Sequence, residues 1–414
     1  MNWKSIGLGL LYIGLQYSSL WAGDQLTVNR DRAVFREGPG SYFPAIAELA
    51  KGTSFEVLTE ENGWYKTTLG GKTGYLSTKV TAGKKESRTS QDVFAKMGTQ
   101  QTGTKVAQSG VSAAVKGFAN KFTQRLQGDP AFLDKAYAYH IDPVAYREFR
   151  RQTYLNRDLR TIRRAVDLPP AQGRLVFTFS EEGMGTAVAA KISQLGIYEN
   201  TPVQDYVNYV GNLVAEASNA YDISFKFFIL DQDAVNAYAC PGGIVFVTRG
   251  ALQSMQNEAE LACFLGHEIT HVVRRHGMKE MEKRKVMITA DNAFAELDQS
   301  TGPDTETEAT TADLESIALE SYENIFAGRL QKYEDEADRF GLTFATRAGY
   351  DPHAMVDLLA RLSGGQQDSG NDHYTATQNA ERRKKVEHWL STHRFPGVLE
   401  TFPGRFQQNT ASLH

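Results

Sequence analysis

His267-Glu268-Ile269-Thr270-His271 is the stretch that decides which fold we expect for this chain. Residues four apart lie on the same face of a helix, so the imidazoles of the two histidines can reach a single metal ion. Zinc suits such a pair because it accepts neutral nitrogen donors and tolerates an open coordination position. Glu268 lies between the two histidines and is expected to take a proton from water on the metal. The alternative is a chance match on a charged surface helix.

The residues around this pentad predict a buried helix. Asn257 followed by Glu260 is the pattern of a side-chain N-cap with an acid that can reach back to it. Apolar residues between Leu261 and Val273 form one broad face, and Gly277 is expected to end the helix. Buried histidines and a buried carboxylate need partners, and a metal ion would supply them.

A third ligand is expected from the acidic run at residues 334–338. This run opens a second predicted helix that ends near Gly349, and Glu334 and Asp338 share one of its faces. Glu334 could bind the metal, while Asp338 could accept a hydrogen bond from a ligand imidazole and fix its tautomer. The alternative for such a run is an exposed acidic face.

These motifs resemble those of the M48 metallopeptidases, in which the third zinc ligand is the first glutamate of an E-x-x-x-D helix. The resemblance spans about residues 180–390, and its ordered motifs are residues 235–250, 257–271, 334–338 and 348–352. It implies a site for one Zn²⁺ per chain. The implied ligands are His267, His271 and Glu334, with Glu268 as general base and Asp338 behind a ligand histidine.

The segment before the pentad predicts two strands and a turn. Residues 225–230 and 244–248 are rich in β-formers, and residues 241–243, Pro-Gly-Gly, separate the second run from residues 235–240. An edge strand beside the metal can hold a substrate backbone by adding it to the sheet. The resemblance gives this substrate-binding role to four consecutive residues, Asn236, Ala237, Tyr238 and Ala239. The alternative is a plain hairpin.

Two further catalytic candidates lie near the C-terminal end of the resemblance. Many M48 relatives carry a His-Pro pair followed by an arginine seven residues on, whereas this chain has His373-Tyr374 and then Arg382. By resemblance, His373 could occupy the open zinc position and Arg382 could stabilise the developing oxyanion. The alternative for His373 is a surface histidine on a polar loop.

Residues 24–82 predict a small all-β barrel, because short β-rich runs alternate with glycine-containing turns. The order of these turns resembles a bacterial SH3 domain. Such modules commonly bind cell-wall peptides or proteins. Trp64, Tyr65 and Tyr75 could line a binding groove, or they could form the core of so small a domain.

The first 22 residues read as an export signal, with Lys4 ahead of an apolar run and a small residue, Ala22, at the expected cleavage point. No later run is long and apolar enough for a transmembrane helix. We therefore expect a protein exported to a bacterial periplasm. The net charge of −4 argues against a general nucleic-acid binder. Of the two cysteines, Cys240 and Cys263, we expect both to be buried thiols, with a disulfide as the alternative.

The expected fold class is α+β: a mainly helical, zincin-like metallopeptidase domain with a small sheet, preceded by the SH3-like barrel. The expected segments follow the chain in order: residues 1–22 signal peptide, 24–82 SH3-like domain, 83–125 linker and short helix, 126–395 metallopeptidase domain, 396–414 C-terminal tail.

The function expected from these features is that of an exported zinc metalloendopeptidase, with envelope protein quality control as the role that the resemblance implies. Its partners would be protein or peptide substrates and a cell-wall or protein ligand of the SH3-like module. Two alternatives remain open. One is a self-inhibited chaperone-like or adaptor protein of the cell envelope, and the other is a peptidase that acts on cell-wall peptides.

Overall fold

The structure is a computed structural model. It describes residues 23–29, 32–61, 63–81, 117, 119–169, 179–218, 220, 223–277, 319, 322, 325, 331–364 and 374–413. The predicted signal peptide, His373 and most of the predicted linker lie outside these residues, whereas residues 119–125 of the linker are helical.

The N-terminal region is a small β-structure. Its strands are β1 (Gln25–Thr27), β2 (Arg32–Arg36), β3 (Ala45–Ala50), β4 (Ser54–Glu56), β5 (Thr59–Glu61), β6 (Trp64–Leu69) and β7 (Lys72–Ser77). Five strands form a sheet in the order β3-β2-β7-β6-β5, and β1 pairs with β4. Trp64 and Tyr65 are buried and Tyr75 is half-buried, so the first two aromatic residues behave as core.

This small β-structure contacts the helical part of the chain through Tyr42. The Tyr42 ring lies edge-on to the ring of Tyr146, with 4.4 Å between the ring centroids. Both rings are buried and belong to the same apolar cluster as the helices described next.

The rest of the described chain is mainly helical. The helices are α1 (Pro130–Ala138), α2 (Pro143–Thr153), α3 (Leu159–Arg164), α4 (Phe179–Ile192), α5 (Thr201–Glu216), α6 (Arg249–Ser254), α7 (Glu258–Val273), α8 (Gln331–Arg347), α9 (Ala354–Gly364), α10 (Ala376–Ser391) and α11 (Pro403–Thr410). Several starts are fixed by side-chain caps. Asp129, Asp142 and Asp158 each accept a hydrogen bond from a backbone N–H of the first turn.

A three-stranded sheet accompanies these helices, which confirms the expected α+β class. Its order is β8 (Lys226–Leu230), β10 (Ile244–Thr248), β9 (Ala237–Ala239). β10 runs parallel to β8 and antiparallel to β9. The short helical turn Pro241–Gly243 joins β9 to β10, so the expected hairpin is present and β9 is an edge strand.

Amide side chains of α5 cover the other edge of this sheet. Asn208 accepts a hydrogen bond from the backbone N–H of Phe227 at 2.9 Å and donates one to the carbonyl of the same residue at 2.7 Å. Gln204 accepts another from the N–H of Ile229 at 3.3 Å. An uncovered strand edge would leave buried backbone groups unsatisfied, so these side chains fix α5 against β8.

The C-terminal segment, expected to be a tail, packs into the domain. Phe406 and Leu413 are buried in the main apolar cluster. The backbone N–H of Ala259, in the first turn of α7, donates to the carbonyl of Thr401. The structure therefore differs from the expected boundary at residue 396, because this segment supplies apolar surface and backbone acceptors to α7.

The paired or free state of the cysteines and the hydropathy of the helices were both subjects of expectation. Cys240 and Cys263 are both buried free thiols, as expected. None of the described helices combines the length and the hydropathy that a membrane span requires.

Candidate metal centre

Helix α7 carries the pentad, and its start follows the expected pattern. The Asn257 side chain accepts a hydrogen bond from the N–H of Glu260 at 3.0 Å, and the Glu260 carboxylate accepts one from the N–H of Gln256 at 2.8 Å. The helix ends at Val273, earlier than the expected stop at Gly277. Arg275, two residues later, has a φ of 52°, a left-handed conformation that interrupts the α-helical path.

Helix α8 packs along α7, and two glycines set how close the helices come. A Cβ atom on Gly266 would lie 2.6 Å from the carbonyl oxygen of Gly341. A Cβ atom on Gly341 would lie 2.5 Å from the backbone nitrogen of His267. Because neither position has room for a side chain, the backbones meet directly beside the first histidine of the pentad.

This close approach brings three predicted ligands together. The Nε2 atoms of His267 and His271 are 3.0 Å apart. Glu334 places Oε2 at 3.2 Å from Nε2 of His267 and Oε1 at 3.6 Å from Nε2 of His271. All three side chains are buried, and their potential ligand atoms lie within 4.8 Å of one another.

The donor atoms fit a metal ion. The Oε1 atom of Glu334 is buried and has no hydrogen-bond partner within the part of the chain that the structure describes. Burial raises the pKa of this carboxyl, but the two histidines outweigh that effect and hold the pKa well below its usual range. A buried carboxylate oxygen with no donor is costly unless a cation satisfies it. Two imidazoles and one carboxylate are a donor set that zinc accepts.

Asp338 lies behind His267, as the sequence predicted. Its Oδ1 accepts a hydrogen bond from Nδ1 of His267 at 2.8 Å. In the neutral ring Nδ1 carries the proton, so Nε2 can offer its lone pair to a metal ion. Burial lowers the pKa of His267, but the hydrogen bonds to Asp338 and Glu334 outweigh burial and raise the pKa to about 9. At neutral pH a metal ion would therefore have to displace the proton on Nε2.

Arg382 pairs with Asp338. Its Nε and Nη2 atoms donate to the two carboxylate oxygens of Asp338 at 3.0 and 2.6 Å. The guanidinium group therefore fixes the partner of His267, and its contact with a developing oxyanion remains a prediction. His373, the other candidate from this loop, lies outside the described residues.

His276 contacts His271, and the sequence did not predict this contact. Its Nε2 lies 3.3 Å from Oε2 of Glu336, and its Nδ1 lies 3.0 Å from Nδ1 of His271. If His276 is neutral, its proton lies on Nε2 toward the carboxylate, and Nδ1 of His271 donates between the two rings. In that tautomer His271 would offer the lone pair of Nε2 to a metal ion.

Glu268 and strand β9 complete the described surroundings. Glu268 is buried on α7 between the two histidines. Strand β9 contacts α7 and contains Ala237, Tyr238 and Ala239. The amide of Asn236, just before the strand, donates to the Tyr238 hydroxyl at 3.0 Å. The catalytic and substrate-binding roles of these residues remain predictions.

Comparison with known families gives two matches. Residues 203–398 match the model of peptidase family M48, and residues 31–81 match the model of the bacterial SH3 domain. The resemblances inferred from the motifs are therefore confirmed for both regions.

Individual relatives are similar over less than half of this chain. The beta-barrel assembly-enhancing protease of Yersinia pestis is 31% identical over 38% of this chain and 32% of its own length. The mitochondrial metalloendopeptidase OMA1 of Schizosaccharomyces pombe is 28% identical over 46% of this chain and 53% of its own length. Metalloprotease YcaL of Escherichia coli is 27% identical over 49% of this chain and 74% of its own length. The chain thus spans about a third of the length of the first of these relatives.

Proposed function

From the membership of residues 203–398 in peptidase family M48, we propose that this chain is a zinc-dependent endopeptidase. The observation that carries the proposal is the convergence of His267, His271 and Glu334 within 4.8 Å. The Oε1 atom of Glu334, which has no partner among the described residues, supports it further, since a cation would offset the cost of burying that oxygen.

In the proposed mechanism, the Nε2 atoms of both histidines and a carboxylate oxygen of Glu334 would hold one Zn²⁺. The chemistry supplied by the bound ion would be that of a Lewis acid toward the peptide carbonyl and the attacking water. Glu268 takes the proton of the attacking water and delivers it to the leaving amine. Asp338, held by Arg382, keeps His267 in the required tautomer, and His276 does the same for His271.

The substrate backbone is proposed to bind along β9. This strand pairs with β10 on one side in the described sheet, and it contacts the helix that carries the pentad. An extended peptide could add to its other side through main-chain hydrogen bonds. Residues 236–239 would then hold the substrate while side-chain pockets select it.

Unassembled or unfolded envelope proteins are the substrate class that we propose. The export-signal pattern of residues 1–22 supports action outside the cytoplasm, in the bacterial periplasm. One relative is named for the assembly of β-barrel proteins, which agrees with a substrate in the envelope. The SH3 module, residues 31–81, would bind a cell-wall or protein ligand.

Digestion of casein tests this proposal. The purified chain should cleave casein, a zinc chelator should abolish cleavage, and stoichiometric Zn²⁺ should restore it. Purified cell-wall material, incubated in parallel, should remain intact.

Three other outcomes would contradict the proposal. Cleavage that survives the chelator would remove the metal from the mechanism. Cleavage of wall material alone would favour the cell-wall peptidase. Binding of unfolded casein without any cleavage would favour the adaptor.

A further inference from the structure

Tyr374 lies against the candidate metal centre. Its hydroxyl donates a hydrogen bond to Oε2 of Glu334. Nothing in the chemistry of the three ligands and Glu268 requires this contact.

The position of Tyr374 is fixed from two sides. The next residue, Thr375, begins α10 with a capping box: its hydroxyl accepts from the N–H of Gln378, and the Gln378 side chain accepts from the N–H of Thr375. Farther along α10, the guanidinium carbon of Arg382 lies 4.1 Å from the centroid of the Tyr374 ring. The hydroxyl is therefore held by a rigid helix start and a cation–π contact.

The same arginine links Tyr374 to the other side of the site. Arg382 donates both of its hydrogen bonds to Asp338, which accepts the Nδ1 proton of His267. One layer of side chains, Tyr374, Arg382 and Asp338, thus supports both Glu334 and His267.

The two oxygens of Glu334 differ as a result. Oε2 accepts the Tyr374 hydroxyl, whereas Oε1 is buried, has no hydrogen-bond partner among the described residues and lies 3.6 Å from Nε2 of His271. The hydrogen bond from Tyr374 occupies a lone pair of Oε2, which makes Oε2 the weaker candidate for a metal ligand. Oε1 is the better candidate because no described donor engages it.

We propose that Tyr374 is a positioning residue that orients the Glu334 carboxylate so that Oε1 is its metal-binding oxygen. The inference rests on the proposed zinc site. It adds that the ligand carboxylate is preset by a hydroxyl group from α10, and that Glu334 binds through one oxygen. Because Tyr374 acts through Glu334, its effect should appear in zinc affinity before it appears in turnover.

The test is the zinc affinity of Tyr374→Phe, measured by competition with a chromogenic chelator. Phenylalanine keeps the ring that Arg382 contacts and removes the hydroxyl. We expect zinc binding to weaken by about 10- to 100-fold, the range for residues that orient metal ligands. Casein cleavage should return to near the wild-type rate when zinc is saturating.

Tyr139→Phe is the matched control. Tyr139 also donates its hydroxyl to a carboxylate, that of Asp205, at 3.0 Å, outside the three-ligand cluster. The same deletion there should leave zinc affinity unchanged. An equal loss in both variants would show a general effect of removing a tyrosine hydroxyl and would overturn the proposal.

Three further outcomes would overturn either the positioning role of Tyr374 or the proposed zinc site. Unchanged or tighter zinc binding by Tyr374→Phe would overturn the positioning role while leaving the zinc site intact. Weaker cleavage that saturating zinc does not rescue would overturn it too, because Tyr374 would then act in the reaction itself. Failure of the wild-type protein to bind zinc would instead overturn the proposed function, so the two failures are distinguishable.

Discussion

The Glu268→Gln variant is expected to cleave casein about 10²- to 10⁴-fold more slowly than the wild type, as measured by kcat/KM. Glutamine keeps the size of the side chain but cannot take a proton from the attacking water. Glu268 lies on α7 between the two ligand histidines and is buried. A substitution of the same shape should therefore leave the helix and the three ligands in place.

Two measurements separate loss of proton transfer from loss of the site. Metal analysis should find one zinc per chain in both wild type and Glu268→Gln. Asp335→Asn, an equivalent change at a half-buried carboxylate of α8 that pairs with Lys385, should cleave casein at the wild-type rate. Cleavage by Glu268→Gln at the wild-type rate would remove this residue from the mechanism.

The second large effect is expected on stability, from Arg405→Met. Glu258 is fully buried at the start of α7 and accepts the hydroxyls of Tyr206 at 2.9 Å and Tyr350 at 2.7 Å. Arg405 supplies the positive charge, with Nε at 2.6 Å from one carboxylate oxygen. Removing one partner of a buried ion pair leaves an uncompensated charge and typically costs about 3–5 kcal/mol.

Urea denaturation measures this loss as a change in the free energy of unfolding. Methionine keeps an apolar stem that can still contact Phe149 and Phe402, the rings beside the guanidinium group. The control is Arg383→Met, which removes an exposed pair with Glu387 and should cost about 0.2–1 kcal/mol. A loss for Arg405→Met no larger than that of the control would contradict the account of this pair.

The sequence predicted those features that depend on local spacing. The histidines of the pentad and the pair Glu334 and Asp338 each recur at four residues, so helix geometry alone puts each pair on one face. The N-cap at Asn257 was predictable from the sequence for the same reason, since its hydrogen bonds stay within one turn. The hairpin before the pentad followed from its Pro-Gly-Gly turn.

Features that depend on contacts between distant segments were not predicted. Nothing local to His276 indicates that a left-handed Arg275 turns it toward His271. The pairing of Arg382 with Asp338 was not predicted, because the two residues lie 44 positions apart in the chain. The contact of Tyr374 with Glu334 was not predicted, because it forms only when α10 packs against α8.

The structure of the C-terminal segment also depends on contacts with residues that are distant in the chain. Residues 396–414 are polar enough to suggest a tail, yet Phe406 and Leu413 are buried and Arg405 neutralises Glu258. The partner of Glu258 could not be identified from α7 itself. Likewise, the hydrogen bonds of Asn208 could not be predicted, because they depend on its amide lying at the edge of β8.

Anomalous X-ray scattering at the zinc absorption edge, from crystals of the zinc-loaded protein, would locate the metal directly. We predict one peak per chain, about 2.0–2.2 Å from Nε2 of His267, Nε2 of His271 and Oε1 of Glu334. A peak at another position, or its absence from these three side chains after zinc loading, would contradict the account.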